Sequence, residues 1–283
     1  NNMSVVDALA GSDPIEAERE LVDLAKCLGT IHAKSVGKEP QYLEVRSALS
    51  SNKEQVSFRD SDLIKINLVK LRQTVSSLDL EISAEAERDI QTVIDSLENP
   101  GKFLAFIHRD PIPPNFMRTD RGLVTIDLEF SGYGHALTDV MSFRMGFPTY
   151  GLPGRLPSQV IETFESNYRS AFAEGCDAAN HDDVYHPASV EACAWWLMFE
   201  LIPNLEKTTD EAEIPEDQKN RMSEGRKWII TRLMSFIEIS LTTDHLGGLR
   251  TLCQELHAKL AQAWDSEAIQ LEYYPAFSDS QTT

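Results

Sequence analysis

Between Phe103 and Asp127 the chain carries one stretch of strand-like text, and that stretch limits the folds open to everything around it. FLAFIH (103–108) is a short apolar run of strand type. FMRT (116–119) and GLVTID (122–127) flank Asp120-Arg121, a spacing that predicts a tight hairpin. The text on either side is helical. Asp13-Pro14 gives an N-cap followed by proline at the first helical position, with Glu16 in the first turn. Ala17, Leu21, Leu24, Leu28 and Ile31 then recur at three- and four-residue steps, the stripe of one buried face. Helices are expected over 62–78 and 83–98, the second with Ile90, Val93, Ile94 and Leu97 inward and Pro100-Gly101 as its stop. After Asp139 further helices are expected over 157–175, 187–205, 220–242 and 247–264. Ser50 to Asp60 and the charged run 207–219 read as loops, and residues 276–283 as a disordered tail. The expected class is α+β, mainly helical, in one unit over 1–275.

The chain's 283 residues can bury a substantial core. No window approaches eighteen uninterrupted apolar residues, so no transmembrane helix is expected. NNMSVVDALAGSDP lacks the basic-then-apolar order of a signal peptide. Cys27, Cys176, Cys193 and Cys253 are far apart and form no C-x-x-C pair, which argues against zinc and against a disulfide framework. A reducing cytoplasm is the natural reading. With 45 acidic against 26 basic residues the formal charge is −19, which argues against nucleic-acid and membrane partners. Such a field suits a cationic substrate, although a solvated acidic surface explains it more simply.

The chemistry concentrates in residues 108–139. His108-Arg109-Asp110 is followed by Pro111-Ile112-Pro113-Pro114 and then Asn115; a strand later comes Ile126-Asp127-Leu128-Glu129. A strand delivers an Asp into a loop, an Asn follows five residues on, and the hairpin returns a second Asp beside them. Carboxylate and amide oxygens gathered this way are what hard divalent cations such as magnesium take, with room for water and phosphate. A carboxylate left free of metal can orient an attacking hydroxyl and accept its proton.

His-Arg-Asp-x-x-x-x-Asn followed by a strand-borne Asp resembles the catalytic and metal loops of the protein-kinase fold. Ile126-Asp127-Leu128-Glu129, with Asp139 about ten residues further, looks more like the aminoglycoside phosphotransferase and choline kinase branch. The helix from Ala17 to His32, ending Leu-Gly-x-x-His, resembles the first helix of that branch's C-terminal lobe. The resemblance implies the C-terminal catalytic and acceptor-binding lobe of a protein-kinase-like phosphotransferase, with a small β hairpin at the catalytic loop. It implies transfer of the γ-phosphoryl group of ATP or GTP to a hydroxyl of a small molecule, with Mg2+ as cofactor. By the same resemblance Asp110 is the catalytic base, and Asn115, Asp127 and Glu129 serve the metal. His108 and Asp139 support the catalytic loop.

Two features depart from that pattern. Ile112 stands where such kinases often carry a Lys or His, and Pro111, Pro113 and Pro114 stiffen the loop. Upstream of His108 there is no β-rich nucleotide lobe, no G-x-G-x-x-G and no strand-borne Lys, so the N-terminal lobe is expected to be missing, the chain being either a fragment or a protein that has lost that lobe. That makes a pseudoenzyme or binding module the main rival. A protein kinase lacks support because no Ala-Pro-Glu segment follows Asp127, and a metal-dependent hydrolase because no water-activating His cluster is present. The acceptor stays open among aminoglycosides, choline-like amines, sugars and lipid-like alcohols.

Several other residues invite functional readings. Trp195-Trp196 with Phe199 could cage a quaternary ammonium, but on an apolar helix core packing is the simpler reading. Glu191 and Glu200 suit either an amine pocket or a solvated face. His135 reads as a structural hydrogen-bonding residue and His32 as a satisfied, partly buried one.

Overall fold

A computed structural model describes residues 4–49, 60–120, 122–146, 152–209, 216–264 and 271–282, the side chains of 200–222 and 279–282 excepted. Helix α1 (Val5–Ala10) opens on a reciprocal capping box between Ser4 and Asp7. The Asp13 carboxylate accepts from Ile15 N and Glu16 N at 3.0 and 3.2 Å, and with Pro14 starts helix α2 (Pro14–Ser35). The stripe Ala17, Leu21, Leu24 and Leu28 is buried.

Helix α2 packs along α7 (Ser158–Ala173) at close range. The contact depends on Gly29, where a Cβ would stand 2.6 Å from Tyr168 O and 2.8 Å from the Ala171 Cβ. Gly29→Ala is therefore expected to destabilise the chain by about 1–3 kcal/mol, the range for overpacking. Urea unfolding checks this; an unchanged midpoint would mean the two helices can part freely.

Helices α3 (Glu39–Leu49), α4 (Asp60–Ser77) and α5 (Ala84–Glu98) follow, and α3 buries none of its residues. The strands then form two antiparallel ribbons. β2 (Phe116–Thr119) pairs with β3 (Gly122–Thr125) as the expected hairpin. β1 (Leu104–Ile107) pairs instead with β4 (Gly132–His135), in the register Leu104↔His135 to Ile107↔Gly132. β4 escapes a sequence reading because Gly-Tyr-Gly-His has no apolar alternation. Its glycines are spatial requirements: a Cβ on Gly134 would meet the Ile107 Cδ1 at 2.5 Å.

Helix α6 (Leu137–Arg144) follows β4, and α8 (Asp182–Thr209) forms the centre of the helical layer. α8 packs against α4, α5, α6 and α9 (Glu216–Ser240). From Ala192 to Met198 every residue of α8 is at most 5% exposed, which a helix tolerates only when it is enclosed on all sides. Trp195 and Trp196 belong to that core; their indole N–H groups donate to Asp60 O and Thr138 O. Helix α10 (Gly247–Trp264) covers α5 and α9, and Asp89 caps it by accepting from Leu249 N at 2.9 Å.

Three boundaries differ from the sequence reading. Residues 275–282 form 3-10 turns in place of a disordered tail from 276, because Ala276 and Phe277 are buried against the core. Helix α8 continues through Thr209 and α9 begins at Glu216, so only 210–215 of the expected loop 207–219 lies outside the described residues. Residues 50–59 and Arg121 also lie outside them, while Asp60 is already helical. No helix among the described residues is long and apolar enough to cross a membrane.

Candidate active site

The site is assembled around a carboxylate that never reaches solvent. Asp139, in the first turn of α6, is 0% exposed. Its Oδ2 accepts from His108 N at 2.6 Å and its Oδ1 from Arg109 N at 3.0 Å. His32, at the end of α2, approaches the same Oδ2 through Nε2 at 3.2 Å, while its Nδ1 meets the Tyr168 hydroxyl at 2.7 Å. Burial holds the Tyr168 phenol well above its ordinary value, so that hydroxyl stays protonated and donates to Nδ1, leaving the proton of His32 on Nε2 toward Asp139. Burial alone would raise Asp139; the hydrogen bonds from His32 and the loop amides outweigh it, and the carboxyl sits below its ordinary value. His32 is fully buried rather than partly so.

Over this anchor the loop turns sharply. Arg109 takes φ 65°, a left-handed conformation that non-glycine residues adopt at a cost of about 1–2 kcal/mol. His108 Nε2 lies 2.9 Å from Ile126 O and its Nδ1 accepts from Asp110 N at 3.3 Å, which assigns a neutral ring protonated on Nε2. His108 thereby ties the loop to the end of β3. Pro111, Ile112 and Pro113 are buried, and a 3-10 turn over Pro113–Asn115 delivers the asparagine. Asn115 Nδ2 donates to Asp110 O at 2.9 Å and to Asp110 Oδ2 at 3.0 Å. Both amide protons are thus engaged, and among the described residues Asn115 Oδ1 accepts no hydrogen bond beside the Asp110 carboxylate. Burial pushes the Asp110 carboxyl above its ordinary value, Asn115 pulls it down, and the charge of Asp127 pushes it up again.

Asp127 follows β3 at φ 60° and ψ 54°, also left-handed, and begins a 3-10 turn over Leu128–Phe130 that carries Glu129. Both acidic side chains are exposed, and neither hydrogen-bonds Asp110 or Asn115 among the described residues. The geometry therefore joins Asp110 directly to Asn115 and brings Asp127 within electrostatic reach of Asp110, while Glu129 stays at the rim.

A metal ion fits this donor set by its chemistry. No group of three or more His, Cys, Asp or Glu side chains among the described residues could hold one. Magnesium, however, keeps several waters and binds through one or two carboxylates plus phosphate oxygens. Asn115 Oδ1 and the Asp127 carboxylate are hard oxygens with no competing hydrogen-bond partner among the described residues.

Other candidates resolve differently. His135 is buried with Nδ1 unpartnered; burial holds its pKa down to about 4, and the neutral ring packs on Phe103. Glu191 Oε1 pairs with His245 Nε2 at 2.7 Å, and the Glu200 side chain lies outside the described residues. Asp60, at the start of α4, is the site-building residue that the sequence reading missed: it receives Arg109 at 3.0 Å. Only the unused charge of Arg109 beside Asp110 could have signalled such a partner.

The sequence profile of the phosphotransferase enzyme family (APH) matches residues 3–175, more than half of the chain. No curated protein matches it. Among solved structures, LicA in complex with AMP is similar at 19% identity and TM-score 0.38, covering 78% of this chain and 65% of that one. Choline kinase LicA from Streptococcus pneumoniae gives 20% and 0.34, covering 77% and 65%. Choline kinase from Cryptosporidium parvum Iowa II gives 14% and 0.38, covering 95% and 70%. The chain thus spans 65% of the length of each LicA chain.

Proposed function

Because this chain belongs to the phosphotransferase enzyme family, we propose that it moves the γ-phosphoryl group of ATP or GTP to a hydroxyl of a small molecule, with Mg2+ as the ion. Residues 1–275 are the catalytic and acceptor-binding lobe in this reading. The observation that carries it is the Asp110–Asn115 clamp, seated by Asp139 on a loop stiffened by proline. Asp110 accepts the proton of the acceptor hydroxyl and aligns its oxygen, through the carboxylate oxygen that Asn115 leaves free. Asn115 Oδ1 and Asp127 would hold the metal, with Glu129 assisting from the rim. When bound, the ion neutralises charge on the phosphate oxygens. His108 and Asp139 keep the base in place, so catalysis is mainly positioning.

The test is transfer of labelled γ-phosphate from ATP and from GTP, with magnesium, to a panel of amino sugars, amino alcohols and neutral sugars. Transfer to one acceptor class supports the reading; nucleotide binding with no transfer to any of them favours the binding-module alternative. Asp127→Asn should raise the metal concentration for half-maximal rate by at least about 10-fold, since even outer-shell losses cost that much. Higher magnesium or added manganese should restore part of the rate. An unchanged metal midpoint would remove Asp127 from the metal site.

A further inference from the structure

Arg109 adjoins the base, yet its guanidinium is committed elsewhere. Nε donates to Asp60 Oδ1 and Oδ2 at 3.0 and 3.2 Å, Nη1 to Phe130 O at 3.0 Å and Nη2 to Tyr133 O at 3.1 Å. The ion pair is nearly enclosed, with side-chain exposures of 11% and 5%. Phe130 ends the short turn that starts at Asp127 and carries Glu129, and Tyr133 lies just beyond it. Space is reserved for the fork: a Cβ on Gly132 would stand 2.7 Å from Nη1, and one on Gly134 3.2 Å from Asp60 Oδ2. A solvated arginine would need neither these glycines nor a left-handed backbone. A nearly buried carboxylate, two carbonyls and two glycines converge on one side chain, and a strained φ persists only where its surroundings over-determine it.

We propose that Asp60 and Arg109 form a positioning pair that sets the Asp127–Glu129 turn at its working distance from Asp110 and Asn115. The inference rests on the metal site of the proposed function. Asp60 begins α4, which packs on the central helix α8, so the fork is referenced to the core. The guanidinium is planar and rigid, and its direction fixes both carbonyls at once; an ammonium could reach one of them but not orient the set. Losing Asp60 leaves the fork on the Phe130 carbonyl of the turn it must hold and the Tyr133 carbonyl of β4, without its tie to α4.

Two measurements on the full chain test the pair. Mn2+ binding is followed by electron paramagnetic resonance for wild type, Asp60→Asn, Arg109→Lys and the surface control Arg72→Gln, whose pair with Glu87 is exposed. Asp60→Asn and Arg109→Lys should weaken Mn2+ by about 10-fold, the lower end for an outer-shell partner, with the control unchanged. Amide hydrogen exchange should speed up in residues 128–134 of both variants and stay unchanged in α10, as a local opening requires. Equal Mn2+ affinity in wild type and both variants overturns the positioning pair and leaves the metal site standing. Acceleration spread through α10 also overturns it, because the pair would then be a general prop. If wild type itself binds no Mn2+, the metal site falls, and the pair's role with it.

Discussion

Replacing Asp110 by Asn is expected to lower turnover by about 10²–10⁴, the span for removing a general base, with nucleotide affinity nearly unchanged. The amide keeps the shape of the carboxylate and can still meet Asn115, so folding is preserved. It cannot take a proton from the acceptor, nor orient the hydroxyl as strongly. The carboxyl lies above its ordinary 3.8 because burial dominates, so its ionised form is a stronger base than a solvent-exposed Asp. The acid limb of the rate profile should accordingly lie above that value, activity rising as the base ionises. Steady-state kinetics with the acceptor found in the transfer screen decides the point. Near wild-type turnover in Asp110→Asn would remove the base and leave a kinase-like fold with another chemistry.

Asp139→Ala should produce the largest loss of stability, about 3–5 kcal/mol, the cost of stripping one partner from a buried charged network. The substitution leaves the amides of His108 and Arg109 and the Nε2 of His32 without their acceptor in the interior. For a chain of this size each kcal/mol moves the melting midpoint by roughly 2–4 °C, so calorimetry should read a fall of about 6–20 °C. The sign with pH follows from the lowered folded-state value. A carboxylate depressed on folding contributes stability that is present above its unfolded value near 3.8 and is lost as pH falls through the folded value. The gap between wild type and variant should therefore be flat at neutral pH and narrow below about 3.8. A gap that is small at neutral pH would mean that Asp139 does not anchor the loop.

What could be read from the sequence was mostly what is local in the chain. Asp13-Pro14, the α2 stripe and the β2–β3 hairpin follow from neighbours a few residues apart, and the mainly helical α+β class follows from them. Asp110 and Asn115 are five residues apart on a proline-stiffened turn, so their meeting is also a short-range matter. The partners of Arg109 are not: Asp60 is 49 positions upstream, and no periodicity links an arginine to a distant helix start. β4 was hidden because two of its residues are glycines required by what packs against them, a demand visible only in three dimensions. The start of the tail packs on the core through Phe277, which is 2% exposed, a contact that no local pattern in the chain announces.

Arg109 and Asp127 both hold left-handed backbones on either side of the site. Their side chains make these positions costly, and glycine would relax each of them. Anyone selecting variants of this chain for heat resistance alone would thus find glycine attractive at the places where placement matters. Hardiness and competence are set against each other at these two residues, and a screen that scores only survival would drift toward a sturdier protein with a looser site.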